Sequence, residues 1–196
     1  ARLGGRGHLP SVSFVGSVIE VDRQLSGASL AHAFGGALAL AYVAEPRGTV
    51  DIDVNVFTHL NEIDVVLDVL AEIGLRPERA RDDWLPVAGI RLRRETDPYP
   101  VDLFPSLGDS YAEIARRCRQ HAFGHGDAVL PFLSAEDLAL FKLSFGRDKD
   151  WVDLRAIVAA RADLDIDYIE RQLIGMRGPS MYPRIARLRG LHRHAL

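Results

Sequence analysis

The chain of 196 residues contains a single cysteine, Cys118. That excludes an internal disulfide framework and a cysteine-based zinc centre, and it fits a reducing cytoplasm. Lysine is nearly as scarce, with Lys142 and Lys149 the only two among 24 basic residues, the other 22 being arginine. An excess of either charge is also missing: the formal net charge is −3, so no global basic field advertises a nucleic-acid partner and any such partner needs a local patch. The apolar run Val12–Ile19 is broken by Ser13, Gly16 and Ser17, runs into Glu20 and Asp22, and has no small-residue cleavage site. No secretory signal is expected from it. Leu25–Ala44 carries no formal charge over 20 residues, the nominal length of a membrane span. Its interruptions at Ser26, Gly27, Ser29, His32, Gly35 and Gly36 fit a strand, a turn and a short helix better, and no membrane span is predicted.

What is present is ordinary for a globular protein. Hydrophobic residues make up 47% and charged residues 26%, enough to build a sizeable core. Apolar spacing predicts helices over Val12–Leu25, Gly36–Ala44, Glu62–Ile73 (closed by Gly74) and Tyr111–His121. Strands are predicted over Ser29–Phe34, Val50–Phe57, Val87–Arg94, Pro100–Phe104 and Ala128–Leu133, with turns at Glu45–Gly48 and around Asp97-Pro98. The last strand is expected to close the sheet. Val50–Phe57 alternates strictly, with Val50, Ile52, Val54 and Val56 on one face and Asp51, Asp53 and Asn55 on the other. From Ser134, which has Asp137 three residues on in the pattern of a capping box, only helices are expected, at about 149–161, 166–176 and 182–190. The plan is an α/β portion over 1–132 and a helical portion over 133–196.

Four features carry chemistry. Gly35-Gly36 falls at a strand-to-helix turn, where backbone can approach a phosphate and N–H groups are free; most such pairs are merely turns. Asp51 and Asp53 leave one face of a strand with Cα atoms roughly 7 Å apart, suited to hard divalent cations held roughly 3.5–4 Å apart in phosphoryl and nucleotidyl transfer. Asp102 lies within the short hydrophobic segment Pro-Val-Asp-Leu-Phe. It either completes a carboxylate triad or pairs with Arg91 or Arg93. Residues 141–154 set Lys142, Arg147 and Lys149 against Asp148, Asp150 and Asp153. This segment reads either as a triphosphate clamp or as a solvated turn laced with salt bridges. In so arginine-rich a chain, the retained lysines point to a need for compact point charges.

Together these residues resemble the DNA polymerase β-type nucleotidyltransferase superfamily, and within it the AbiEii/MenT branch, the toxins of type IV toxin–antitoxin pairs. The resemblance rests on Phe34-Gly-Gly-Ala-Leu-Ala-Leu, on Arg47-Gly-Thr-Val-Asp-Ile-Asp (the pattern R-x-T-x-D-x-D), on Val101-Asp102-Leu103 and on K-x4-R-x-K-D-x2-D from Lys142 to Asp153. It spans roughly 29–155, and the chain is similar in compactness to the mycobacterial MenT toxins. The resemblance implies a mixed α/β sheet flanked by helices with a C-terminal helical portion. It also implies Mg²⁺ or Mn²⁺ on Asp51 and Asp53, with Asp102 a third carboxylate able to help deprotonate an attacking hydroxyl. Gly35 and Gly36 would cradle the phosphates of a nucleoside triphosphate, and Lys142 would contact it with Arg147 and Lys149 nearby. Asp150 or Asp153 would orient these cations. The implied reaction adds nucleotides, pyrimidines favoured, to the 3′ end of tRNA and so blocks aminoacylation and translation. The implied partner is a cognate antitoxin, which in some members acts by phosphorylating a hydroxyl two residues before the first Asp, the place of Thr49 here.

Two departures bear on the acceptor. Many superfamily members have Gly-Ser where this chain has Gly35-Gly36, and most AbiEii-like toxins are longer. Residues 171–196 contain six arginines and no acid, a local basic patch from which Arg184, Arg187 and Arg189 are candidates for RNA contact. His192 and His194 read as solvated, and Cys118 as a small packed residue rather than a nucleophile. A protein or small-molecule acceptor, or a degenerate member of the fold that only binds a partner, are the alternative readings.

Overall fold

The computed structural model describes residues 13–84 and 89–195. Helix α1 (Phe14–Gly27) is capped by Ser13, whose Oγ accepts from the Gly16 amide at 3.0 Å; the expected start at Val12 lies outside the described residues. Strand β1 (His32–Phe34) and helix α2 (Gly36–Leu40) follow, each shorter than expected. Next come β2 (Ile52–His59), α3 (Ile63–Ala71), β3 (Arg76–Pro77), β4 (Ile90–Arg94), β5 (Asp97–Ser106), α4 (Ser110–Arg117), β6 (Arg119–Ala122) and β7 (Val129–Phe132). The remainder is helical: α5 (Ala135–Phe145), α6 (Asp148–Ala160), α7 (Ile166–Arg177) and α8 (Tyr182–Ala195).

The strands form one mixed sheet in the order β3-β4-β5-β2-β1-β7-β6. Central β2 runs parallel to β5 and antiparallel to β1, while β4 is antiparallel to β5. Ile52, Val54 and Val56 are fully buried, as their alternation demands, and α3 packs on β2 with Ile63, Val66 and Leu70 inside. One hydrophobic cluster runs from Val18 through the sheet to Leu188 of α8. Helix α5 is buried on several sides, because it touches α2, α6 and α7.

Four local expectations are corrected. Val50 is 61% exposed and outside the core, because β2 begins only at Ile52, after the Thr49 side chain has hydrogen-bonded to the backbone of Asp51. The helix expected to reach His121 stops at Arg117; Cys118 is extended, and Arg119–Ala122 pairs with Val129–Phe132 instead. Strand β7 is therefore interior, and β6 forms the sheet edge. Asp97 is no turn residue. It opens β5 buried, held by Arg94, Ser17 and the Tyr99 amide, and Glu95-Thr96 makes the turn. Among the described residues no helix is long and apolar enough to cross a membrane.

Candidate active site

The register of the sheet builds the site. Asp53 on β2 stands beside Asp102 on β5, and Asp102 stands beside Arg91 on β4. Each is on the face opposite the buried Ile52–Val101–Leu92 row. Asp51 precedes β2 on the same side. Asp102 has Arg91 as its partner while also standing beside Asp53. The Nε and Nη2 of Arg91 donate to the two Asp102 oxygens at 2.7 and 2.6 Å, and Nη2 also donates to Asp51 at 3.1 Å. The hydrogen bond to Asp102 raises the pKa of the Arg91 guanidinium, which binds the two outer carboxylates as a cation would.

Asp53 lacks such a partner. Burial pushes its pKa up from 3.8 to about 6, and the charges of Asp102 and Asp51 add to the rise, against which Lys142 and Lys149 act. Loss of water and crowding of like charge both disfavour the carboxylate, and a bound cation relieves both. Among the described residues, no group of three or more His, Cys, Asp or Glu is placed to hold a metal ion; Arg91 ties up Asp102 and Asp51. The donor set of carboxylate oxygens nonetheless suits a hard divalent ion.

The two glycines pack closely on these side chains. Gly36 has φ +52°, and a Cβ placed on it would lie 1.8 Å from Oδ2 of Asp53. A Cβ on Gly35 would lie 2.8 Å from the amide nitrogen of Asn55. Bare backbone at this turn is what lets β2 keep a carboxylate and an amide underneath it. Helix α2, which follows, has only five residues.

The cationic segment folds as an elbow between α5 and α6. Lys142 is buried on α5, with Nζ donating to Asp153 at 2.5 Å. Arg47 donates to the same carboxylate at 3.0 and 3.1 Å. Burial alone would raise the Asp153 pKa, yet these two cations hold it below the usual carboxylate range. Asp150 accepts from the backbone and guanidinium of Arg147 at 3.0 and 2.8 Å. Each acid thus holds a cation, Asp153 that of Lys142 and Asp150 that of Arg147, whereas Lys149 is exposed. Gly146 closes α5 with φ +65°, and Arg184 donates to the carbonyls of Leu143 and Ser144 at 2.7 Å each.

Two cavities flank the carboxylates. A small one, about 50 Å³, is lined by Gly36, Asp53, Asn55, Lys142, Arg147 and Asp150 together with apolar groups that include Phe104, Phe141 and Phe145. A larger one, about 390 Å³, opens beside Asp102 and Arg91, bounded by Glu78, Arg79, Asp83, Trp84 and Arg147. The structure therefore gathers Gly35, Gly36, Asp51, Asp53, Asp102, Lys142, Arg147, Asp150 and Asp153 into one region.

Other candidates stand elsewhere or are already engaged. Thr49 lies before the strand, its Oγ1 3.1 Å from both the amide and the carbonyl of Asp51. Arg184 closes α5, Arg187 stacks over the Trp151 ring at 3.8 Å, and Arg189 pairs with Asp167 and Glu170. These three arginines of the basic tail are thus engaged by the protein itself. Burial pushes the Cys118 thiol up to about 12, which removes it as a nucleophile. Arg91, Arg47 and Asn55 join the site. The first was visible in the sequence only as a partner for Asp102, and the other two only as members of a motif and of an alternating face.

No protein-family model and no curated protein sequence matches the chain. Among solved structures, the fold is similar to that of the antibiotic-resistance factor ANT(2″)-Ia in solution, with a TM-score of 0.57 and 16% identity over 94% of this chain and 99% of that one. It is also similar to ANT(2″)-Ia in complex with adenylyl-2″-tobramycin, with a TM-score of 0.52 and 15% identity over 92% and 98%. A third similar structure is an antigenic nucleotidyltransferase-like protein from Paracoccidioides brasiliensis, with a TM-score of 0.51 and 15% identity over 91% and 94%. The chain has the mixed α/β fold of nucleotidyltransferase-like proteins.

Proposed function

We propose that the chain is a nucleotidyltransferase dependent on a divalent cation, moving a nucleoside monophosphate from a nucleoside triphosphate to an acceptor hydroxyl. The observation that carries this reading is the Asp53 carboxylate, crowded by Asp51 and Asp102 and raised in pKa, facing Lys142 across a cavity roofed by Gly36. Asp51 and Asp53 are the residues to hold Mg²⁺ or Mn²⁺, which when bound neutralises phosphate charge and assists the attacking oxygen. Lys142, fixed by Asp153, and Arg147, fixed by Asp150, offer oriented charge to the triphosphate. Such preorganised contacts cost little reorganisation during reaction. Gly35 and Gly36 leave room for the phosphates as well as for the side chains beneath them. Asp102, oriented by Arg91, borders the larger cavity and is the carboxylate to act on the acceptor. The acceptor hydroxyl gives up its proton to Asp102 and its oxygen bonds to the α-phosphorus, the bond from the α-phosphorus to the oxygen bridging it to the β-phosphate breaks, and pyrophosphate leaves.

For the acceptor, the reading that follows the AbiEii/MenT resemblance is the 3′ end of tRNA, with pyrimidine nucleotides preferred and an antitoxin partner in the cytoplasm. It is supported by the R-x-T-x-D-x-D segment, whose Arg47 is built into the Lys142–Asp153 pair. Thr49 is the position for regulatory phosphorylation, since a phosphate there adds about −1.5 to −2 charge next to Asp51. A second reading, a small-molecule acceptor, is supported by the internal engagement of Arg184, Arg187 and Arg189 and by the acids Glu78, Asp83 and Asp102 around the larger cavity. Each α-labelled nucleoside triphosphate, offered with total RNA, with protein lysate and with polyhydroxylated amines, separates the readings. Label in the tRNA fraction supports the first, and label only in small molecules replaces it with the second.

A further inference from the structure

Resting on the nucleotidyltransferase reading, one buried side chain remains without a function. Asn55 is 4% exposed, yet among the described residues its side chain has no hydrogen-bond partner, and it lines the small cavity beside Asp53. Its amide atoms are not sealed in the interior, where among the described residues only Arg117 Nε is enclosed without a partner; they keep their small exposure and are free to pair with a group that enters the cavity. The backbone of Gly35 comes close to Asn55, since a Cβ there would lie 2.8 Å from its amide nitrogen and oblige the amide to move.

The shape of the cavity narrows what the amide meets. About 50 Å³ admits a few water-sized groups and falls far short of the roughly 300–1,000 Å³ that encloses a whole ligand. Only an edge of a substrate enters. Asn55 is two residues beyond Asp53 on the same face of β2, roughly 7 Å along the strand, so it lies one sugar ring away from a phosphate held at Asp53. The rings of Phe104, Phe141 and Phe145 suit sugar carbons, and an amide both donates and accepts, as a hydroxyl requires.

We infer that Asn55 reads a ribose hydroxyl of the bound nucleoside triphosphate and makes the enzyme select ribonucleotides over their deoxy analogues. A site whose buried polar group pairs with a substrate hydroxyl rejects the analogue that leaves it unpaired. The test is calorimetric binding, in Mg²⁺, of each nucleoside triphosphate and of its 2′-deoxy and 3′-deoxy forms to the wild type, to Asn55→Leu and to Asn55→Ser. The wild type is expected to bind one deoxy form about tenfold more weakly, and both variants to bind the three forms within about twofold of one another. Equal wild-type affinities, or a variant that keeps the tenfold ratio, overturn the assignment. The wild-type ratio decides even where Asn55→Leu fails to fold. A wild type that binds no nucleotide at all instead overturns the parent reading, and this one with it.

Discussion

Replacing Gly36 with alanine attacks the site through its backbone. At φ +52° the new Cβ would meet Oδ2 of Asp53 at 1.8 Å and Cγ at 2.5 Å, whereas its distance to the Asp53 Cβ, 3.0 Å, is at the limit of tolerance. The carboxylate must therefore retreat by about 1.2 Å, from 1.8 to the 3.0 Å below which real Cβ contacts essentially do not occur. An alanine in the left-handed region adds strain of about 1–2 kcal/mol. A displacement of about 1 Å in a catalytic group costs on the order of 100-fold in rate, so pyrophosphate release by Gly36→Ala is expected to fall by that factor. A double-mutant cycle isolates the contact. In the Asp53→Ala background the oxygen and Cγ are gone, and the same glycine substitution is expected to cost only the backbone strain in denaturant titration. Wild-type turnover by Gly36→Ala, or an equal stability loss in both backgrounds, refutes the reasoning.

Three further outcomes follow from the same geometry. Because burial raises Asp53 from 3.8 to about 6, the folded state binds its proton more tightly than the unfolded chain, and stability is lost as pH rises through this interval. Asp53→Asn is thus expected to stabilise the metal-free protein by on the order of 3 kcal/mol at pH 8, with the gain fading towards pH 4; urea midpoints in EDTA that show the same gain at both pH values contradict it. Arg184→Ala removes two donated hydrogen bonds from the end of α5 and is expected to cost about 2 kcal/mol of stability; an unchanged unfolding midpoint frees Arg184 for an outside ligand, as its place in the basic tail suggests. Thr49→Glu is expected to silence transfer while leaving the circular-dichroism melt within a few degrees of wild type, since the added charge stands next to the backbone of Asp51. Full transfer by that variant sinks the phosphorylation proposal.

The strongest signals in the sequence were periodic ones. Ile52, Val54 and Val56 announced the central strand, and the Asp pair alternating with them marked the candidate site. The failures have identifiable physical causes. Arg119–Ala122 has no strand pattern of its own and becomes a strand because Val129–Phe132 offers it a partner, a tertiary effect that local spacing does not encode. Strand β3 is two residues long and exists only through pairing with β4. The mate of Asp102 was narrowed to two arginines, but choosing Arg91 required the β4–β5 register. The tail showed its charge but not its partners: Asp167, Glu170, Trp151 and the end of α5 lie 19 to 41 residues from the arginines they engage, too far for any local pattern to reveal. Asn55 looked like one more polar residue on an alternating face, and only its burial and its lack of a partner set it apart.

The most direct test of nucleotidyl transfer is release of labelled pyrophosphate from γ-labelled nucleoside triphosphates in the presence of total RNA and small-molecule acceptors, compared between wild type, Asp51→Asn and Asp53→Asn with and without Mg²⁺. Release of label as pyrophosphate by the wild type, abolished by EDTA and by either substitution while all three proteins remain folded, is the predicted result. Release that persists in both aspartate variants, or a wild type that yields no pyrophosphate with any nucleotide and acceptor, contradicts the assignment of these carboxylates.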